Sequence, residues 1–218
     1  MAREDVIAAI VKNKLIAIVR GMGEGRIVPV AKAIFAGGIR LLEVTFNQAE
    51  PGSFDATARS IGAVREAFGG DGFAGAGTVI TLEQLKLAAD AGAQFIVSPD
   101  TNLEIIEATR KLGLVSIPGA MTPTECVAAH HADADFVKLF PLGNLGAGFL
   151  KAIRAPLSHI RFLGVGGISE KNAGDFLAAG AAGFGIGGNL VNKEWINANR
   201  FDLITELAAK YVSAVSRN

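Results

Sequence analysis

Ala36-Gly37-Gly38-Ile39-Arg40-Leu41-Leu42-Glu43-Val44-Thr45 contains a complete helix-to-strand joint. The paired glycines stop a helix, because glycine accepts the left-handed backbone that follows a last helical turn. The run that follows is β-rich, and Leu41, Glu43 and Thr45 fall two residues apart, on one face of a strand. The other face, Leu42, Val44 and Phe46, is purely apolar. The same joint recurs as Ala91-Gly92-Ala93-Gln94 and as Ala179-Gly180-Ala181-Ala182.

Outward from this stretch, short apolar runs alternate with longer alanine-rich ones. The runs are Leu15–Val19, Leu41–Thr45, Phe73–Ala76, Phe95–Val97, Val115–Ile117, Phe136–Phe140, Arg161–Val165 and Gly183–Ile186. Between them the spacing predicts helices over 54–68, Thr81–Ala91 with Thr81 as N-cap, and 102–112. Further helices are predicted over 123–132, 146–154, 170–179 and 200–215. Strands separated by helices run parallel, and eight such units predict an α/β fold, a (β/α)8 TIM barrel. Met1–Asn13 would be an extra helix covering its bottom, and residues 1–218 a single domain. A doubly wound open sheet is the structural rival.

The composition suits a folded globule, with 50% hydrophobic residues and 19% charged. Lys and Arg total 21 and Asp and Glu total 21, so no basic excess points to nucleic acid or an anionic membrane. The apolar runs are shorter than the ~20 residues of a membrane helix. Cys126 is the single cysteine, and the first residues do not read as a signal peptide. These features predict a cytoplasmic protein with small-molecule substrates.

In a TIM barrel the site lies at the carboxyl ends of the strands. Strand parity sends Glu43 and Lys138 into the barrel, with Phe136 and Phe140 beside Lys138. Arg20 ends the first strand, Thr45 the second, and Thr78 and Pro99 follow the third and fourth. A structural Lys138–Glu43 ion pair is the plain alternative, but buried pairs stabilise poorly compared with apolar packing. A free lysine titrates near ~10.4, so about one in 2500 is neutral at pH 7. Desolvation raises that fraction. A neutral amine attacks a ketone to give a Schiff base, and Glu43 is the inward carboxylate available to move protons. Near the end, Gly166-Gly167 leaves strand seven and Gly187-Gly188-Asn189 leaves strand eight. Small residues there let backbone N–H groups approach a phosphate, at the usual phosphate position of such barrels.

The ordered motifs resemble those of the KDPG/KHG aldolases (2-dehydro-3-deoxy-phosphogluconate and 4-hydroxy-2-oxoglutarate aldolases). They are Ile16-Ala17-Ile18-Val19-Arg20-Gly21, Glu43-Val44-Thr45, Gly75-Ala76-Gly77-Thr78-Val79 and Phe95-Ile96-Val97-Ser98-Pro99. Pro118-Gly119-Ala120-Met121-Thr122-Pro123-Thr124-Glu125, Val137-Lys138-Leu139-Phe140-Pro141 and Gly166-Gly167-Ile168 complete the set. The resemblance runs from Leu15 to about Val191. It implies a class I aldolase, a homotrimer without cofactor or metal, cleaving a 2-keto-3-deoxy-6-phospho sugar acid to pyruvate and glyceraldehyde 3-phosphate, or hydroxyoxoglutarate to pyruvate and glyoxylate. It assigns the Schiff base to Lys138 and the proton shuttle to Glu43. It puts Arg20, Thr78 and Pro99 beside the substrate, and phosphate at Gly166, Gly167, Gly187 and Gly188. Three positions depart from the phosphogluconate pattern: Asn47 stands where an arginine is usual, Val165 where threonine is frequent, and Asn189 where serine is expected. Asn47 and Val165 resemble the phosphogalactonate-type branch, whereas Glu43-Val44-Thr45 and Val137-Lys138-Leu139-Phe140-Pro141 resemble the phosphogluconate group, so both epimers stay open.

Three other functions stay open on the residues alone. A metal-dependent aldolase would need ligands at the strand tops, whereas His130, His131 and His159 fall toward the bottom. A phosphate-binding isomerase or decarboxylase would keep the glycines without needing an imine. A noncatalytic binding protein is the third.

Overall fold

The computed structural model describes residues 2–216, the side chain of Glu24 excepted. The chain runs α1 (Arg3–Asn13), β1 (Leu15–Arg20), α2 (Glu24–Ala36), β2 (Leu41–Thr45), α3 (Phe54–Phe68), β3 (Phe73–Gly77) and α4 (Leu82–Asp90). It continues through β4 (Phe95–Val97), α5 (Leu103–Lys111), β5 (Val115–Ile117), β6 (Gly119–Ala120), α6 (Pro123–His131) and β7 (Val137–Leu139). Then come α7 (Leu142–Arg154), β8 (Phe162–Val165), α8 (Ala173–Ala178), β9 (Gly183–Ile186), α9 (Lys193–Asn197) and α10 (Phe201–Ser216).

The strands are parallel in the order β5-β4-β3-β2-β1-β9-β8-β7-β6. β5 and β6 are two halves of one strand interrupted at Pro118, whose nitrogen carries no proton for the ladder. β5 pairs with β4 and β6 with β7. The backbone N–H groups of Phe136 and Lys138 donate to the carbonyls of Ser116 and Pro118 at 3.3 and 2.8 Å. The broken strand thus closes a (β/α)8-type barrel, which rules against the open sheet. Among the described residues no helix is long and apolar enough to cross a membrane.

Strand parity sorts the apolar residues into two cores. Leu41, Phe95, Val97, Val115, Ile117, Phe136 and Leu163 fill the barrel interior, with Val6 and Ile10 of α1 against them from below. Leu42, Val44, Phe46, Val137 and Leu139 join the larger layer between barrel and helices. At ~25 cal/mol per Å² of apolar area, each fully buried Leu or Phe contributes roughly 1.5–3 kcal/mol. Above the interior apolar layer stand Glu43 and Lys138.

Helix boundaries follow local chemistry. Thr81 caps α4 by accepting from the Gln84 N–H, as the sequence predicts. Thr122 and Glu125 form a capping box on α6. The helix expected over 146–154 is preceded by a turn from Leu142, with a break at Gly146 (φ 80°). The extra helix expected over Met1–Asn13 begins at Arg3, and Met1 lies outside the described residues. The helix that the Ala36-Gly37-Gly38 stop implies is α2, which ends at Ala36 with Gly37 as C-cap and carries Pro29 in its second turn.

Candidate functional site

The site is built on a row across the sheet. Strand register sets Arg20 beside Thr45, and Thr45 beside Gly77. One pleat below, Ile18 neighbours Glu43, and Glu43 neighbours Gly75. Glycine is needed at both inward β3 positions: a β-carbon on Gly75 would overlap the Phe95 ring, and one on Gly77 would overlap the Glu43 carboxyl. The Gly75-Ala76-Gly77 motif therefore makes the space in which the carboxyl sits.

Glu43 is 4% exposed and Lys138 8%. Burial pushes the Glu43 carboxyl up to about 7, against the opposing pull of Lys138 and Arg20. Burial also pushes the Lys138 ammonium below the usual lysine range; Arg20 adds to that shift, while Glu43 and Asp100 oppose it. Among the described residues no direct ion pair joins Lys138 to Glu43, so the structural plug lacks its defining contact. The Lys138 Nζ stands 5.5 Å from the centre of the Phe140 ring. Thr45 Oγ1 is buried and has no hydrogen-bond partner.

Beside this pair opens a cavity of about 930 Å³. Arg20, Asn47, Phe140, Gly166, Gly167, Gly187, Gly188 and Asn189 all line it, so the structure brings these predicted residues together. Gly166 and Gly167 are consecutive left-handed residues, at φ 84° and 76°, where any side chain would be strained. Their loop is braced by the Gly143 N–H on the Gly166 carbonyl at 2.7 Å and the Asn172 amide on the Gly167 carbonyl at 2.9 Å. The Asn47 Oδ1 accepts from the Ala49 N–H at 3.2 Å.

Glu43, Thr45 and Lys138 lie beneath this cavity rather than in its lining, and Thr78 and Pro99, which follow β3 and β4, do not line it either. Thr78 takes a left-handed backbone, φ 57°, and its carbonyl accepts from the Gln48 amide at 2.7 Å. The three histidines stand at the other end, where α6 finishes and the chain approaches β8; the His130 and His159 rings lie 4.7 Å apart.

Sequence reasoning missed four contributors. Asp100 acts on Lys138 electrostatically, and its place just after Pro99 at a strand top was a usable signal. Tyr211 is fully buried under the glycine loops, its hydroxyl donating to the Ile168 carbonyl at 3.4 Å and meeting the Asn189 side chain. Arg26 and Lys193 extend the cavity wall. No local pattern marks Tyr211, Arg26 or Lys193.

Known proteins resemble this chain in sequence and in fold. A family model described as KDPG and KHG aldolase matches residues 6–207. The KHG/KDPG aldolase of Escherichia coli (strain K12) is 37% identical over 187 residues, 85% of this chain and 84% of that protein. A probable 2-dehydro-3-deoxy-6-phosphogalactonate aldolase of Rhizobium meliloti (strain 1021) is 36% identical over 180 residues, 82% of each chain. The crystal structure of the Legionella pneumophila KDPG aldolase, with pyruvate captured at low pH as a covalent carbinolamine intermediate, superposes with a TM-score of 0.82 at 30% identity. That match covers 93% of this chain and 96% of the other. A parallel barrel with a lysine and a carboxyl buried at its mouth, matched along nearly its whole length, makes this chain a member of the KDPG and KHG aldolase family and an aldolase, a carbon–carbon lyase.

Proposed function

We propose that Lys138 is the Schiff-base nucleophile of a class I aldolase that cleaves a 2-keto-3-deoxy-6-phospho sugar acid to pyruvate and glyceraldehyde 3-phosphate. 4-Hydroxy-2-oxoglutarate, giving pyruvate and glyoxylate, is the smaller substrate. The observation that carries the reading is a buried amine, lowered in pKa, beside a carboxyl raised to about 7.

The uncharged amine adds to the C2 ketone to form a carbinolamine, and loss of water gives an iminium. Glu43, as carboxylate, takes the proton of the C4 hydroxyl. The C3–C4 electron pair then moves to the iminium as the aldehyde departs. Glu43 returns its proton to C3 of the enamine, and water releases pyruvate. A group titrating near neutrality holds and gives up a proton with comparable ease, which suits both steps. The carbinolamine of the Legionella relative supports this order. Arg20, Thr45, Thr78 and Pro99 serve the keto-acid end, Phe140 shields the imine, and Gly166, Gly167, Gly187, Gly188 and Asn189 hold the phosphate.

The test is borohydride reduction in the presence of pyruvate followed by mass spectrometry. A pyruvyl adduct on Lys138 is expected; an unmodified Lys138 would reject the mechanism.

A second reading concerns the epimer. Asn47 lines the cavity with its oxygen held by the Ala49 N–H, where phosphogluconate-type members carry arginine. This favours 2-dehydro-3-deoxy-6-phosphogalactonate as the preferred phospho sugar acid. Comparison of kcat/KM for the two epimers decides it. The reading includes a cytoplasmic homotrimer; Leu82, Leu103 and Met121, each close to half exposed at the leading end of a helix or its loop, offer apolar surface for such contacts. Analytical ultracentrifugation and cell fractionation check both parts.

A further inference from the structure

The proposed substrate carries a carboxylate and a phosphate of about −1.5 to −2 charge at pH 7. Backbone N–H groups at the glycine loops supply partial charge only, so further compensation is needed. The described lining of the cavity contains three cations, Arg20, Arg26 and Lys193, and no carboxylate. Arg20 acts on Lys138 and Glu43, and so belongs to the inner, keto-acid end. The other two belong to the outer end. Leu190 and Val191 donate back to the Gly187 carbonyl at 2.9 and 3.1 Å, folding the loop so that α9 starts close behind the glycines. Lys193 is the first residue of α9. Arg26 reaches the same helix from α2, its Nη1 donating to the Ile196 carbonyl at 2.7 Å. This bond sets the guanidinium at the C-terminal end of α9, the short helix that Lys193 opens, and both side chains line the one cavity.

We propose that Arg26 and Lys193 form a cationic outer wall that receives the substrate phosphate, and that this pair sets the preference for phosphorylated over unphosphorylated keto acids. The inference rests on the aldolase reading above. Both are exposed; Arg26 is held by the Ile196 carbonyl with donors to spare, and the flexible Lys193 stem adjusts to its ligand. Hydroxyoxoglutarate ends at the aldehyde portion in a carboxylate and carries no phosphate, so it draws less on this wall.

The test is steady-state kinetics with a 6-phosphorylated 2-keto-3-deoxy sugar acid and with hydroxyoxoglutarate, for the wild type, Arg26→Gln, Lys193→Gln, the double variant and Lys193→Arg. Each lost charge is expected to raise KM for the phosphorylated substrate about tenfold, the scale of one charge-assisted hydrogen bond, with kcat nearly constant. The ratio of kcat/KM between the two substrates falls accordingly, and Lys193→Arg recovers most of it. Inorganic phosphate, as an inhibitor of hydroxyoxoglutarate cleavage, weakens in parallel. Equal losses on both substrates, or a ratio within twofold of wild type in the Lys193 and double variants, overturn the inference while leaving the aldolase reading intact. A wild type that turns over neither substrate overturns both.

Discussion

At the bottom of the barrel the Asp135 side chain is buried, and at the top so is Glu43, yet the two carboxyls are held in opposite ways. Asp135 accepts from Arg3 Nη2 at 2.8 Å and Arg3 Nε at 3.2 Å, accepts from the Ser116 N–H at 2.9 Å, and has Arg110 at 3.7 Å. That hydrogen bonding holds the Arg3 guanidinium more firmly protonated and fixes α1 beneath the sheet. Glu43 faces Lys138 without a direct ion pair among the described residues, and Thr45 beside them keeps an unpartnered hydroxyl. Burial without compensating hydrogen bonds disfavours the charged carboxylate, and that is the condition of Glu43. The bottom is therefore fixed by its charges, and the top keeps its groups ready for a ligand.

Removing the nucleophile should separate the two ends most sharply. Lys138→Met is expected to lower kcat by about 10⁴-fold or more, without loss of folding stability, because the variant also removes a desolvated amine. Parallel kinetics and urea unfolding check this, and a marked loss of stability would mean the lysine is a structural plug. Asp135→Ala should do the reverse. It leaves Arg110 and the Ser116 N–H without their acceptor and Arg3 with only the exposed Glu4, and should cost about 3 kcal/mol in urea unfolding, with turnover per folded molecule retained.

Glu43→Gln comes next, with a drop of about 10²-fold in kcat. Its pH signature has a definite sign. The folded-state value, about 7, lies above the unfolded value of 4.5, so the native state binds more protons between those limits. The stabilising contribution is present below pH 4.5 and is lost as pH rises toward 7. Wild-type unfolding free energy should fall across that window relative to Glu43→Gln, and coincident slopes would place the carboxyl in water. Thr45→Val has the smallest effect: a gain of up to about 1 kcal/mol from removing a buried unpaired hydroxyl, with KM for the keto acid raised. A loss of stability would mean the hydroxyl has a partner in solution.

Much of this architecture is legible from local pattern. The two-residue parity of Leu41-Leu42-Glu43-Val44-Thr45 and Phe136–Phe140 assigns Glu43 and Lys138 to the interior, and the structure finds both there. Thr81 as a cap and Gly166-Gly167 as a turn are visible for the same reason: their chemistry lies within a few residues. The end of α2 is legible at Ala36-Gly37-Gly38, whereas its length rests on packing: Pro29 inside it costs one hydrogen bond, outweighed by Ile27, Val30 and Ile34 in the outer core.

The amino-acid sequence alone determined the order of strands and helices, which side chains face inward, and which glycines must turn, since each depends on neighbours two to four residues away. Only the tertiary structure decided that the strand broken at Pro118 closes the barrel and that Arg26, Lys193 and Tyr211 gather around the glycine loops. It also decided that the Glu43 carboxyl titrates near neutrality. Closure and desolvation are sums over residues far apart in the chain, and no local periodicity encodes a sum of that kind.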